Sequence, residues 1–152
     1  MVITWQIKYF NELSVEDLYR IFKLRIAVFV VEQSCPYQDA DLKDLKSFHL
    51  MGLNESKELI AYARILSGGI AFNEVSIGRV CTSQNARGTG AGKHLMHNAI
   101  QFIAKQFGLL PIRIGAQCYL TKFYSSFGFE IASEEYLEDN ILHIEMLLNS
   151  RL

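Results

Sequence analysis

The sequence predicts an α/β (α+β) fold: a mixed central sheet of about seven strands with helices on both faces, in one domain over residues 1–152. Three observations carry this. Apolar runs follow the order β-α-(α)-β-β-β-α-β-α-β-β along the chain. A long helical pattern from Gly90 to Phe107 joins two β-rich runs, and such a crossover makes its two strands parallel and right-handed. Ser47–Leu53 and Glu58–Leu66 are joined by a turn, and strand 74–82 pairs antiparallel on its other side.

Residues 2–9 form the first strand. Ser14-Val15-Glu16-Asp17 resembles a capping box, with Asp at the third helical position. Leu18, Ile21, Phe22, Arg25, Ile26 and Phe29 then recur at helical spacing, to about Val28–Val31. The acidic segment Gln38–Lys46 holds a short helix or loop. Ser47–Leu53 and Glu58–Leu66 are two strands joined at Asn54–Lys57. Gly68-Gly69 breaks the second from Glu74–Thr82. In the helix over 90–107, apolar residues fall at 91, 95, 99 and 103. Lys105, Gly108 and Pro111 stop it. Ile112–Ala116 is a strand, 120–126 a short helix, and Phe127–Ala132 with Ile141–Leu148 a final antiparallel pair.

Composition narrows the function. Half of the residues are hydrophobic and a fifth are charged, as in an ordinary globule. The net charge is −1 and no Lys/Arg run occurs, which argues against nucleic acid or an anionic membrane as the main partner. No apolar stretch reaches the ~18–20 residues of a membrane span. The start, Met1 to Gln6, is strand-like and lacks the basic leader of a signal peptide, so a cytoplasmic location is expected. Cys35, Cys81 and Cys118 form no C-x-x-C pair, so neither a zinc site nor a disulfide framework is expected. Cys81 and Cys118 read as small buried fillers, and Cys35 as a loop thiol open to exposure.

Residues 87–92 read Arg-Gly-Thr-Gly-Ala-Gly, between a β-branched run and the start of the long helix. The first N–H groups of a helix have no intrahelical partner and sit at the positive end of its dipole. A glycine loop at that point leaves them uncovered, which suits a phosphate or pyrophosphate. A dinucleotide fingerprint needs Gly-x-Gly-x-x-Gly with an acidic residue about 20 positions on. Here the spacing is Gly88-x-Gly90-x-Gly92, and nothing acidic follows until Glu130. A P-loop needs Gly-Lys-Ser/Thr, but His94 follows Lys93.

Arg87, Gly90 and Gly92 fit Arg-x-x-Gly-x-Gly instead. This resembles the pyrophosphate motif of the GCN5-related N-acetyltransferases, the GNAT superfamily, which use acetyl-coenzyme A. Downstream, Gln117 to Phe129 resembles the second signature of that superfamily, Asn-x-x-Ala-x-x-Leu-Tyr-x-x-x-Gly-Phe. Tyr124 and Gly128-Phe129 fall in register, and Gln117 replaces the Asn. Leu24-Arg25, Val28 to Gln33, Tyr37, Asp39 and Asp41 are similar to the ElaA-like branch. Tyr136 to Asp139, Ile141, His143 and Met146 are similar to it too. Gln117 is typical of that branch. Asn140-Ile141-Leu142-His143 stands where the branch has Gly-Ile-Pro-His, a change in the local turn.

The resemblance implies the acyl-CoA N-acyltransferase fold, in which strands 74–82 and 112–116 splay apart. It places pantetheine along the backbone of Val80 and Thr82. The pyrophosphate falls on the amides of Arg87, Gly88, Thr89, Gly90, Ala91 and Gly92, with Gln117 also at the cofactor. Acetyl transfer needs a deprotonated amine, a stabilised oxyanion and a proton for the leaving thiolate. Tyr124 is the expected acid, and a backbone N–H of strand 74–82 the oxyanion donor. Amines have pKa near ~10, so a base must act. Glu32 ranks first, His49 second, with His143 and Glu145 sharing a face of the last strand. His49, Arg64 and Asp139 are the expected acceptor-binding residues.

Asp39, Asp41 and Asp44 form an acidic patch that either draws a cationic amine or is plain loop solvation. They are not a calcium loop, since its glycine and closing Glu are missing. The expected activity is N-acetyl transfer to a small-molecule or peptide amine, without a metal. The alternative is a coenzyme A-binding sensor that transfers nothing. A homodimer through exposed strand edges is compatible with either.

Overall fold

β1 (Thr4–Tyr9), β2 (Ser47–Leu53), β3 (Leu59–Leu66) and β4 (Val75–Thr82) pair antiparallel in chain order in the computed structural model, which describes residues 1–149. β5 (Ile112–Gln117) lies parallel to β4. Then come β6 (Glu130–Ile131), β7 (Tyr136–Glu138) and β8 (Ile141–Leu148). β8 runs antiparallel to β5 and carries both β6 and β7. The sheet order is β1-β2-β3-β4-β5-β8-β6. The mixed sheet with one parallel step is as expected, and residues 150–152 of the expected domain lie outside the described residues.

Two features differ from expectation. β7 is an additional strand, so the described residues form eight rather than about seven. It joins β8 through Asp139 and Asn140, both at positive φ (51° and 63°), the geometry of a two-residue type I′ hairpin turn. The strand expected over 127–132 is cut to Glu130–Ile131. Phe127 and Gly128 instead close the turn after α3 (Thr121–Ser125), donating to the carbonyls of Tyr124 and Ser125.

Helices cover both faces. α1 (Val15–Arg25) starts at Ser14, whose hydroxyl accepts from the Asp17 N–H at 3.0 Å while Asp17 Oδ2 accepts from the Ser14 N–H at 3.1 Å. The predicted capping box is real. The helix continues through a π-helical turn, Ile26–Glu32, which carries Glu32 and Gln33 to the sheet. Ile21, Leu24 and Val28 pack with Met51, Leu53, Tyr62 and Cys81 on this face. On the other face, α2 (Ala91–Phe107) lays Leu95, Met96, Ala99 and Ile103 against Ala63, Ile65, Ile77 and Ile114. Burying each large aliphatic side chain is worth roughly 1.5–3 kcal/mol. Cys35 is buried, not exposed: its thiol donates to the Asp139 carbonyl. Among the described residues no helix is long and apolar enough to cross a membrane.

Candidate active site

The glycine loop is built by backbone geometry. Gly88 and Gly90 stand at φ +78° and +87°, where a β-carbon is strained. A Cβ at either would meet nothing within 4 Å, so the space above the loop is open. Thr89 donates its hydroxyl to the Ala86 carbonyl, and Ala91 is buried with Ala86 and Ile60, which docks the start of α2. No side chain caps α2, so its first N–H groups remain available to an anion. Arg87 turns back: Nη2 donates to the Thr82 carbonyl at 3.0 Å, and Nη1 pairs with Glu32 at 2.8 Å.

β4 and β5 are paired only at Val75–Ile112 and Ser76–Arg113. Beyond Ser76 the strands part, and a cleft of about 910 Å³ opens between them. Val80, Thr82, Arg87, Gly92, Gln117 and Tyr124 all line it. The expected splay is therefore present; of the expected cofactor residues, Val80, Thr82, Arg87, Gly92 and Gln117 line it, whereas Gly88, Thr89, Gly90 and Ala91 lie outside its lining. Tyr124 is only 6% exposed, and its hydroxyl makes no hydrogen bond among the described residues. Burial raises its pKa well above the usual phenol value, so it holds its proton at neutral pH.

Elsewhere the cleft is bounded by the π-helical turn, the loop before β2 and the β7–β8 hairpin. Gln33 and Gln117 exchange amide hydrogen bonds, each 3.2 Å. His143 lies opposite Gln117 on β8, and its ring stacks on Tyr136 with centroids 5.8 Å apart. Asp139 lines the rim at the hairpin turn. Glu32 faces the cleft, but its carboxylate is engaged by the Arg87 guanidinium at 2.8 Å.

His49 does not reach this site. It is fully enclosed, with Nδ1 2.7 Å from the Tyr62 hydroxyl and Nε2 2.9 Å from the Asp44 carbonyl. Burial pulls its pKa below the usual histidine value, so it is a neutral core residue and not a substrate ligand. Arg64 touches the cleft wall, but its guanidinium is taken by Asp41 (2.7 and 3.0 Å) and Asp44 (3.0 Å). The acidic patch is thus neither amine bait nor loop solvation. Asp39, Asp41 and Asp44 interlock with Arg25, Arg64 and Arg79, three charges of each sign, mostly buried.

Comparison with known proteins now decides the family. Residues 23–150 match the family described as "Acetyltransferase (GNAT) domain". Protein ElaA of Escherichia coli is 45% identical over 147 residues, covering 95% of both chains. The chain belongs to the GNAT acetyltransferase family. The crystal structure of Escherichia coli ElaA superposes with a TM-score of 0.89 at 44% identity, over 96% of this chain and 99% of that one. An acyl-CoA N-acyltransferase from Pseudomonas aeruginosa superposes with a TM-score of 0.91 at 40% identity, again over 96% and 99%. The acyl-CoA N-acyltransferase fold expected from the motifs is the fold of this chain.

Several contacts in this GNAT site escaped the sequence reading. Gln33 and Gln117 are far apart in sequence, and no local pattern announces their pairing. Nothing in the spacing of strand 74–82 shows that Arg79 bonds Asp39 where the β3–β4 register steps. Tyr136 sits on a three-residue strand too short to show alternation. One signal was available: two turn-forming residues, Asp139-Asn140, between short apolar runs mark a hairpin.

Proposed function

We propose that this GNAT domain is an acetyl-CoA-dependent N-acetyltransferase acting on a primary amine of a small molecule or peptide. The observation that carries the reading is the open cleft between β4 and β5, with an uncapped α2 at one end and the unpartnered Tyr124 hydroxyl along its wall. The open space above Gly88 and Gly90 fits a pyrophosphate, since any side chain there would be strained and would shield the amides. The relatives named for acyl-CoA transfer support the same reading.

Acetyl-CoA supplies the thioester carbonyl that the amine attacks directly. The loop amides of residues 88–92 take the pyrophosphate, and the Val80 and Thr82 backbone takes the pantetheine arm. A backbone N–H of β4 stabilises the oxyanion. Tyr124 gives its proton to the departing thiolate. Glu32 fixes Arg87 at the mouth of the cleft, and Asp139 borders the acceptor opening.

Tyr124→Phe tests the acid. It should lose thiol release, by ~10²–10⁴-fold in kcat, while binding acetyl-CoA as the wild type does. Full turnover in that variant removes Tyr124 from the mechanism. A wild type that binds acetyl-CoA yet releases no thiol with any amine is a sensor.

A further inference from the structure

Among the described residues that line the cleft, His143 is the one histidine, and it is 7% exposed. Its Nδ1 lies 2.7 Å from the Ile141 carbonyl. A carbonyl only accepts, so Nδ1 carries a hydrogen, and in the neutral ring the lone pair then lies on Nε2. The ring is fixed in that orientation by stacking on Tyr136 and by its place opposite Gln117 at the end of β5, next to the segment that leads into α3 and Tyr124. Nε2 faces Glu138 Oε2 at 3.5 Å, and the Glu138 side chain is 61% exposed.

Several other acid–base groups along this wall are committed, while the Asp139 side chain at the hairpin turn makes no ion pair among the described residues. Glu32 is held by Arg87, Glu145 by Arg113 at 3.0 Å, and Asp41 by Arg64. The Cys35 thiol donates to the Asp139 carbonyl. Burial raises the pKa of the Tyr136 phenol above its ordinary value, so it too holds its proton. The groups that surround the imidazole are then Tyr136 and Glu138 on β7, the paired Glu145 on β8 and the uncharged Gln117 on β5.

We propose that His143 is the proton acceptor for the incoming amine, with Glu138 passing the proton on to solvent; this rests on the transferase reading of the cleft. Nε2 takes a proton from the acceptor ammonium, directly or through one water. The freed nitrogen lone pair forms the C–N bond as the C–S bond breaks. Tyr124 protonates the leaving sulfur, and the second proton on nitrogen restores the Tyr124 phenol. One proton leaves through His143 for each acetyl group transferred.

Nitrogen-15 NMR of the imidazole reads the tautomer without any substrate. The expected neutral form has Nδ1 protonated and Nε2 bare, and a proton on Nε2 overturns the proposal. The second arm measures thiol release with acetyl-CoA and n-butylamine, against aniline, which is uncharged at neutral pH. His143→Gln is expected to lower kcat/KM for butylamine ~10²–10⁴-fold with unchanged acetyl-CoA affinity, and to cost less with aniline. Added imidazole should restore part of the butylamine rate in His143→Gly. Equal losses with both amines, or a loss explained by weaker acetyl-CoA binding, mean a structural role and overturn the proposal. If the wild type releases no thiol with either amine, the tautomer alone decides the assignment, and a proton on Nε2 overturns it.

Discussion

Arg79 donates from Nε to Oδ1 of Asp39 at 2.8 Å while its own backbone stands in the left-handed region, at φ +52°. The register of β3 against β4 steps between Tyr62–Cys81 and Arg64–Gly78, so Arg79 and Val80 together face Ala63. That is a β-bulge, which bends β4 at the point where it has already parted from β5. A non-glycine residue at positive φ costs about 1–2 kcal/mol. The clamp offsets that strain: Nη2 also bonds the Asp39 carbonyl at 3.1 Å, and the guanidinium lies 5.4 Å from the Tyr37 ring centre. Asp39 in turn accepts from Arg25, which is fully buried on α1. One carboxylate therefore ties α1, the loop before β2 and the bulge of β4 into the wall of the cleft.

Strain and clamp separate by substitution. Arg79→Gly accepts φ +52° freely, whereas Arg79→Ala keeps the strain and loses the clamp. The glycine variant should be the more stable of the two by about 1 kcal/mol in urea unfolding. Asp39→Ala, which leaves two guanidinium groups short of a carboxylate, should cost about 3–5 kcal/mol.

Acid should loosen the cluster. Burial raises the Asp41 pKa, but its hydrogen bonds to Arg64 and the charges of Arg64 and Arg79 outweigh that and hold it down to about 2. Asp44 is likewise lowered by Arg25 and Arg64 against its burial. A carboxylate whose folded pKa is depressed stabilises the fold above its unfolded pKa, near ~4, and loses that contribution as pH falls toward the folded value. Urea midpoints of the wild type should fall between about pH 5 and 2. Asp41→Asn should be less stable by about 2 kcal/mol at pH 7 and converge with the wild type near pH 2.

The thiols should differ in reactivity. Cys81 is buried, and burial pushes its thiol up to about 12, so little thiolate forms. Cys35 is buried with its hydrogen directed at Asp139. Under native conditions a thiol reagent followed by peptide mass mapping should label the half-exposed Cys118 first. Cys35 and Cys81 should react only on unfolding. Rapid native labelling of Cys35 would mean that the β7–β8 hairpin opens readily.

The fold was legible where periodicity runs long enough to register. The stripe at 91, 95, 99 and 103 is buried on α2 as the spacing predicts. Arg25 fell at an apolar position of the α1 pattern and is indeed interior, although nothing local shows that Asp39 and Asp44 neutralise it. β7 and the shortened β6 were missed because three residues carry no period, and the aromatic run at Phe127–Phe129 hides a turn at Gly128, φ +99°. The glycine-loop end of the cleft was readable because one contiguous loop builds it. The other end draws Glu32, Gln33, Gln117, Tyr136 and His143 from four separate elements, and ion pairs reaching across that distance leave no trace in spacing.

The central claim is that the loop from Arg87 to Gly92 binds the pyrophosphate of acetyl-CoA. Calorimetric titration of the wild type and Gly90→Glu with acetyl-CoA, with NAD and ATP as controls, tests it most directly. A folded Gly90→Glu protein that no longer binds acetyl-CoA, beside a wild type that binds acetyl-CoA and neither control, is the predicted result. A wild type that does not bind acetyl-CoA, or a variant that binds it equally well, would contradict the claim.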